Sequence, residues 1–378
     1  MSPQACFEHP ALFWALGRTR HARKRHSKRQ HRRNAMAERI VFKGKGDVSV
    51  ESFTPNTPTG NKVLFDTEYS LMSTGTENIV LNQDYSPGTA WDAWVSHPFY
   101  PGYACVGTIA ECGPQVTGLT VGTRAVYRGS HASSHTPDAA DLIAIPDGIE
   151  PTDAVWFALA KIASMGARVA RYRLGDSVCV IGAGPIGQMT VRWAYACGVE
   201  NIVVCDRAKS RLAIARKGGA TAVLERPAAE IKDELIALCD GALPRVVVDT
   251  TGHAAVFPTA LSLCAARGTL VLLGDTGHPQ EQHLTADVVG RGVTIVGAHD
   301  THEEEGWDEP TIARLFFRLV GDGRFKMEGL NTHLFKPGDC TEAYATANKV
   351  RDETMGILFD WRGEQQAQEG AEQLRAAS

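Results

Sequence analysis

Val180-Ile181-Gly182-Ala183-Gly184-Pro185-Ile186-Gly187 decides the reading of this chain. The run Ser177–Ile181 is apolar and strand-like, and residues Gln188 to Ala196 read as a helix. A strand that closes on G-x-G-x-x-G and opens a helix is the context in which that spacing cradles a pyrophosphate. Gly182 permits the tight turn and Gly184 lets the backbone approach the phosphates. Pro185 and Ile186 lead into the helix, and Gly187 lets helix and strand pack closely. The N–H groups and positive dipole end of the helix then face the anion. The next apolar run ends in Asp206, 19 residues after Gly187. Its carboxylate is placed to accept from both hydroxyls of an adenosine ribose and to repel a 2′-phosphate, which favours NAD over NADP. Arg207 is the counter-signal, because a guanidinium there pairs with a phosphate.

Outward from this motif, apolar runs alternate with helical segments from about 161 to 298. The runs are Ser177–Ile181, Asn201–Cys205, Val246–Asp249, Thr269–Leu273 and Val293–Val296. Alternation of this kind predicts an α/β domain with a doubly wound parallel sheet. Thr251 and Gly274, just past the ends of the Val246–Asp249 and Thr269–Leu273 runs, are expected to line the cofactor cleft. Residues 37–160 read differently, as short strands and turns punctuated by Gly and Pro. A helix is expected at Thr311–Leu319 and a last strand at Met355–Asp360. The expected organisation is 36–160, completed by 311–362, as a β-rich domain, and 161–310 as the nucleotide domain. Residues 363–378 read as a polar tail.

The chain has 378 residues, 43% apolar and 22% charged, enough for two domains of a soluble globular protein. Its net charge of −4 hides an asymmetry: residues 1–36 carry nine Lys/Arg and one acid, which leaves the body at −12. An acidic body argues against nucleic-acid binding, and no apolar run approaches the roughly 20 residues that span a bilayer. Residues 1–35 include the basic block 18–33 and are read as a disordered extension or a misplaced start, with Met36 opening the fold; a transit peptide or a binding arm is the alternative. The nine cysteines show no C-x-x-C pair and read as reduced thiols of a cytoplasmic protein.

A β-rich first half, a nucleotide domain near residue 180 and a C-terminal return resemble the medium-chain dehydrogenase/reductase superfamily, alcohol dehydrogenase type. The resemblance covers about 37–362 and implies a Rossmann domain beside a GroES-like catalytic domain, with assembly as a homodimer or homotetramer around a small-molecule substrate. Pro101-Gly102-Tyr103-Ala104-Cys105-Val106-Gly107 sits where the family has Gly-His-Glu-x-x-Gly, and Ser73-Thr74-Gly75-Thr76-Glu77 where it has Cys-x-Thr/Ser-Asp. Carried over residue by residue, the zinc ligands become Thr74, Tyr103 and Ala160, and neutral hydroxyl and methyl groups do not hold Zn²⁺. The four-cysteine structural lobe is missing as well. Met72–Glu77 with Pro101-Gly102-Tyr103 is similar to a zinc-lacking subgroup, the bacteriochlorophyllide a dehydrogenases, although the chain differs from them between Asn78 and Pro101.

Alcohol oxidation without zinc needs another group to take the proton. Tyr103 and Lys161 lie at or beside the vacated positions, and a phenol donates to a carbonyl oxygen more readily beside an ammonium. Thr76 matches the family's relay hydroxyl, and Ser164 the residue that touches nicotinamide. The alternatives are a packed tyrosine and a solvent-facing lysine. His131 and His135 stand in an extended segment and read as solvated or hydrogen-bonded side chains rather than metal ligands. His299 and His302 read as a relay or as surface residues. The aromatics Tyr85, Trp91, Trp94, Phe99 and Tyr100 form either a pocket for a bulky planar substrate or a packed loop. The expected function is a zinc-independent NAD(H)-dependent oxidoreductase that interconverts a secondary alcohol and a ketone. An NADPH-dependent alkene or quinone reductase and a non-catalytic nucleotide-binding protein are the alternatives.

Overall fold

The computed structural model describes residues 36–363. The basic block and most of the polar tail therefore lie outside the described residues. The nucleotide half is built on six parallel strands. In chain order they are β8 (Ser177–Ile181), β9 (Asn201–Asp206), β10 (Ala222–Glu225), β11 (Val246–Asp249), β12 (Thr269–Leu272) and β13 (Thr294–Gly297). Their order across the sheet is β10-β9-β8-β11-β12-β13, so the direction of winding reverses between β8 and β11. Ligands bind at the carboxyl ends of strands at such a reversal.

The two faces of this sheet follow from the alternation of side chains along each strand. Val178, Val180, Ile202 and Val204 join the core under the helices Phe157–Ala170 and Pro185–Ala196. Cys179, Ile181, Val203 and Cys205 face the other way, onto Leu235, Phe257 and Leu261. Both faces are covered, which is why the strands read as unbroken apolar runs. The short strand β10 is absent from the sequence reading: its half-exposed Ala222 and Val223 and its exposed Glu225 break the apolar run.

The other half contains β1 (Ala37–Gly44) and β2 (Asp47–Phe53) as a hairpin, and β3 (Val63–Leu71), β4 (Cys105–Cys112), β5 (Arg124–Tyr127), β6 (Ser134–His135) and β7 (Ile143–Ala144). The C-terminal strands β14 (Asn331–Phe335) and β15 (Gly356–Asp360) complete its sheet in the order β14-β15-β3-β4-β5-β7, with β6 paired to β3. The strand-and-turn reading of this half omits the helices Thr74–Asn82, Ala90–Trp94 and Pro151–Ala154. The expected boundary at 160/161 falls inside the single helix Phe157–Ala170, which packs against the nucleotide sheet and against the helix Glu309–Gly321. No helix among the described residues is long and apolar enough to cross a membrane.

Candidate active site

The glycine turn adopts the geometry its sequence dictates. Gly182 has φ +93°, a conformation L side chains rarely adopt. A Cβ on Gly187 would lie 2.0 Å from the Gly182 carbonyl oxygen, so only glycine lets the helix start this close to the strand. Gly184 is the N-cap and Pro185 the first residue of the helix Pro185–Ala196. At Gly184 a Cβ would meet only the Arg211 Nη1, at 3.6 Å, so backbone is open to a ligand there. Asp206, at the tip of β9, accepts from the backbone N–H of Ala183 at 2.7 Å and of Ala208 at 2.8 Å. Its carboxylate thus stands directly beside the turn, while Arg207 is exposed. Thr251 donates from both its N–H and its hydroxyl to Asp249 Oδ1, which burial holds above the ordinary carboxylate range. Gly274 packs on Gly252, where a Cβ would lie 2.3 Å from the backbone nitrogen. The open backbone at a helix N-terminus and the acid beside it fit a nicotinamide dinucleotide.

Arg211 is a cation that the sequence reading missed. It is 9% exposed, and its Nη2 donates to the carbonyls of Arg351 and Thr354. Its Nε has no partner, although the side chain reaches Gly184 and interacts with Asp206. Only its position five residues past Asp206 signals this role, and no motif contains it.

In the β-rich half, Ser73 caps the helix Thr74–Asn82 without using its side chain for the cap. The Ser73 hydroxyl instead accepts from the Tyr103 phenol at 2.5 Å. Thr76, the third residue of the helix, lies close enough to influence the phenol. Burial holds the Tyr103 phenol above its ordinary value of 10; Glu77 pushes in the same direction, and Ser73, Thr76 and the Arg128 guanidinium oppose it.

The cation beside Tyr103 is Arg128, not Lys161. The guanidinium carbon of Arg128 lies 5.4 Å from the Tyr103 ring centroid. Arg128 is held by Asp300 through two contacts of 2.9 and 3.0 Å and by Glu309 at 2.5 Å. Those two acids outweigh the cost of burial and hold its proton affinity above the ordinary value. The Lys161 ammonium is turned onto the Asp300 carbonyl at 2.6 Å and onto the Asp300 and Glu303 carboxylates at 3.1 and 2.9 Å. Lys161 thus anchors the segment after β13 instead of serving the phenol. Ser164 is 1% exposed and donates to the Lys161 carbonyl at 2.7 Å, so its hydroxyl is turned onto its own helix.

His131 is fully buried and hydrogen-bonded. His135 packs against Tyr127 and Phe65, and burial lowers it to about 4. His299 bonds the adjacent Thr301 at 2.9 Å and lies 5.8 Å from the His302 ring. In the aromatic stretch, Trp91 and Trp94 lie on the helix Ala90–Trp94, where Trp91 meets Trp94 at 5.7 Å and Trp94 meets Phe99 at 5.2 Å. Trp94 and Tyr100 remain exposed.

Zinc does not fit the donor set at the compared positions. Thr74 offers a hydroxyl, Tyr103 a phenol committed to Ser73, and Ala160 a methyl group. Among the described residues no three His, Cys, Asp or Glu side chains are grouped to hold a metal.

A doubly wound parallel sheet with an open glycine turn and an acid beside it is the arrangement of a dinucleotide-binding protein. Residues 185–314 match the zinc-binding dehydrogenase family, and that stretch contains none of Thr74, Tyr103 and Ala160. An alcohol dehydrogenase of Cupriavidus necator is 30% identical over 259 residues, which span 68% of this chain and 67% of the relative. A dehydrogenase of Sinorhizobium meliloti 1021 solved with NADP superposes with a TM-score of 0.74 at 17% identity, covering 86% of this chain and 100% of its own. A dehydrogenase of Escherichia coli CFT073 solved with NADH does so with a TM-score of 0.73 at 18% identity, covering 86% and 100%. The chain belongs to the alcohol dehydrogenase type of the medium-chain dehydrogenase/reductase superfamily and is an oxidoreductase that acts on CH–OH groups with a nicotinamide cofactor.

Proposed function

We propose that the chain is a zinc-independent, NAD(H)-dependent oxidoreductase that interconverts a secondary alcohol and a ketone, with Tyr103 as the proton donor and acceptor. The observation that carries this reading is the Tyr103 phenol, 2.5 Å from Ser73 Oγ, at the position where the resemblance puts a histidine ligand. Bound nicotinamide supplies the hydride acceptor or donor. Gly182, Gly184, Gly187 and the helix N-terminus hold its pyrophosphate, and Asp206 reads the adenosine ribose. Tyr103 transfers the proton at its phenol oxygen, and Ser73 and Thr76 orient that oxygen. Arg128 favours the phenolate when the alcohol gives up its proton. Zinc would otherwise supply this charge stabilisation as a Lewis acid.

The test is turnover of a panel of secondary alcohols with NAD⁺ after exhaustive dialysis against a chelator, with zinc measured in the same sample. Undiminished turnover at substoichiometric zinc supports the reading. Activity that falls and returns in step with zinc content refutes it.

A further inference from the structure

Glu77 is buried in the wall behind the phenol, 2% exposed, and every donor around it is accounted for. Its Oε1 accepts from the Ser73 backbone N–H at 2.7 Å, and the Glu77 N–H returns a bond to the Ser73 carbonyl at 2.9 Å. Its Oε2 takes the Tyr344 hydroxyl and the His131 Nε2, the latter at 3.1 Å. His131 Nδ1 lies 2.7 Å from Ser70 Oγ, which accepts from the Trp361 indole at 2.8 Å. One assignment satisfies the whole chain. Trp361 donates to Ser70, Ser70 to Nδ1, and the Nε2–H of His131 to Glu77.

This network reaches the phenol from two sides. An N-cap serine normally spends its hydroxyl on the helix's own N–H groups. Here no helix N–H uses the Ser73 hydroxyl, which accepts from Tyr103, while the Glu77 carboxylate holds the Ser73 backbone N–H from inside the helix. On the other side, the His131 N–H donates to the Pro101 carbonyl at 2.7 Å. Gly102, with φ +93°, lies so close that a Cβ there would come within 2.8 Å of the His131 ring. The segment that carries Tyr103 is therefore seated on the same histidine that holds Glu77.

We propose that Glu77 and His131 are positioning residues that lock Ser73 and the 101–103 segment so that the Ser73 hydroxyl stays bonded to the Tyr103 phenol. This rests on the reading of Tyr103 as the proton-transfer group, but its test does not need turnover. The groups that face this pair are Arg128 and Tyr103 on the cleft side, Tyr344 from the C-terminal helix, and Cys105 and His135 within electrostatic reach.

The full chain is labelled with tyrosine carrying carbon-13 at Cζ, and the Tyr103 resonance is assigned by its disappearance in Tyr103→Phe. Ser73→Ala gives the position of the phenol without its serine partner. Glu77→Met, which keeps the volume and removes both oxygens, is expected to move the resonance most of the way to the Ser73→Ala position. Glu77→Gln keeps an oxygen for the Ser73 N–H and is expected to stay near wild type. A folded Glu77→Met protein with an unmoved resonance overturns the proposal, as does a Gln variant shifted as far as the Met variant. Should Glu77→Met not fold, Tyr344→Phe removes one bond to the carboxylate without changing volume. It is expected to give a partial shift in the same direction, and no shift overturns the proposal. Silent kinetics in Tyr103→Phe would refute the assigned function and leave this result standing.

Discussion

Tyr103→Phe is the sharpest perturbation of the proposed chemistry, because it deletes one oxygen and leaves the ring in place. The lost oxygen donates to Ser73 at 2.5 Å, and Ser73 is 7% exposed, so one nearly buried acceptor loses its partner. That costs about 1 kcal/mol of stability, a shift of only about 1–2 °C in Tm for a protein of this size. The kinetic effect is larger. General acid–base catalysis contributes roughly 10²–10⁴-fold, so kcat is expected to fall by that factor while the Kd for NAD⁺ is unchanged. The cofactor control is independent: the glycine turn and Asp206 lie on the nucleotide sheet.

The pH profile carries the sign. Burial holds the phenol above its ordinary value of 10, so the phenolate needed for alcohol oxidation accumulates only at high pH. Oxidation is expected to rise with pH throughout the neutral range. Ketone reduction, which uses the protonated phenol, is expected to stay flat over that range. Arg128→Met removes the guanidinium 5.4 Å from the ring and is expected to push the oxidation limb to still higher pH. Initial rates followed in the nicotinamide absorbance band, in both directions, measure all of this. Tyr103→Phe with kcat within threefold of wild type would show that the proton leaves by another route.

Three further outcomes follow from the geometry. Asp206→Ser removes the charge that repels a 2′-phosphate and leaves Arg207 and the partly unpaired Arg211 nearby, so the kcat/KM ratio of NADP⁺ to NAD⁺ is expected to rise at least tenfold; an unchanged ratio would show that Asp206 does not discriminate. His135 is lowered by burial to about 4 from an ordinary 6.5, so the unfolded chain binds the extra proton first. Its contribution is complete above pH 6.5 and is lost as pH falls toward 4, up to about 3 kcal/mol, and His135→Gln should flatten that slope in urea melts. Burial raises Asp153 to about 6 from 3.8, the opposite sign: its contribution is complete below 3.8 and is lost as pH rises through 6. Asp153→Asn is expected to stabilise by about 1–2 kcal/mol at pH 7 and by much less at pH 4, as read from paired thermal melts.

The nucleotide half is legible in the sequence because its signals are local. Gly182 and Gly187 are required by contacts within one turn, and strands buried on both faces leave continuous apolar runs. The other side of the cleft depends on contacts between distant residues. Asn78-Ile79-Val80-Leu81 has strand-like composition, yet it lies in the helix Thr74–Asn82. That helix sets Ser73, Thr76 and Glu77 at spacings of three and four residues, where side chains share a face. Glu77 finds its partners at positions 131 and 344. No linear pattern marks a carboxylate that is satisfied from such distances.

Lys161 shows the limit of linear adjacency in its simplest form. It follows Ala160, the position compared with a zinc ligand, and one residue along the chain suggests a neighbour in the site. In a helix, one residue is a turn of about 100°, so a side chain next in sequence points elsewhere. The Trp193 indole bonds the Ala160 carbonyl at 2.8 Å, which ties that turn to the nucleotide domain, while the ammonium next to it joins Asp300 and Glu303. Arg128 arrives by the opposite route. It lies 25 residues past Tyr103 and follows β5, which pairs with the strand that begins at Cys105. Sheet pairing makes that distance short: Cys105 lies opposite Tyr127, and Tyr103, two residues before the one, and Arg128, one residue after the other, fall at the same end of the sheet. Pairing of the two strands brings the guanidinium near the phenol, and the residues just beyond the strand ends set the contact.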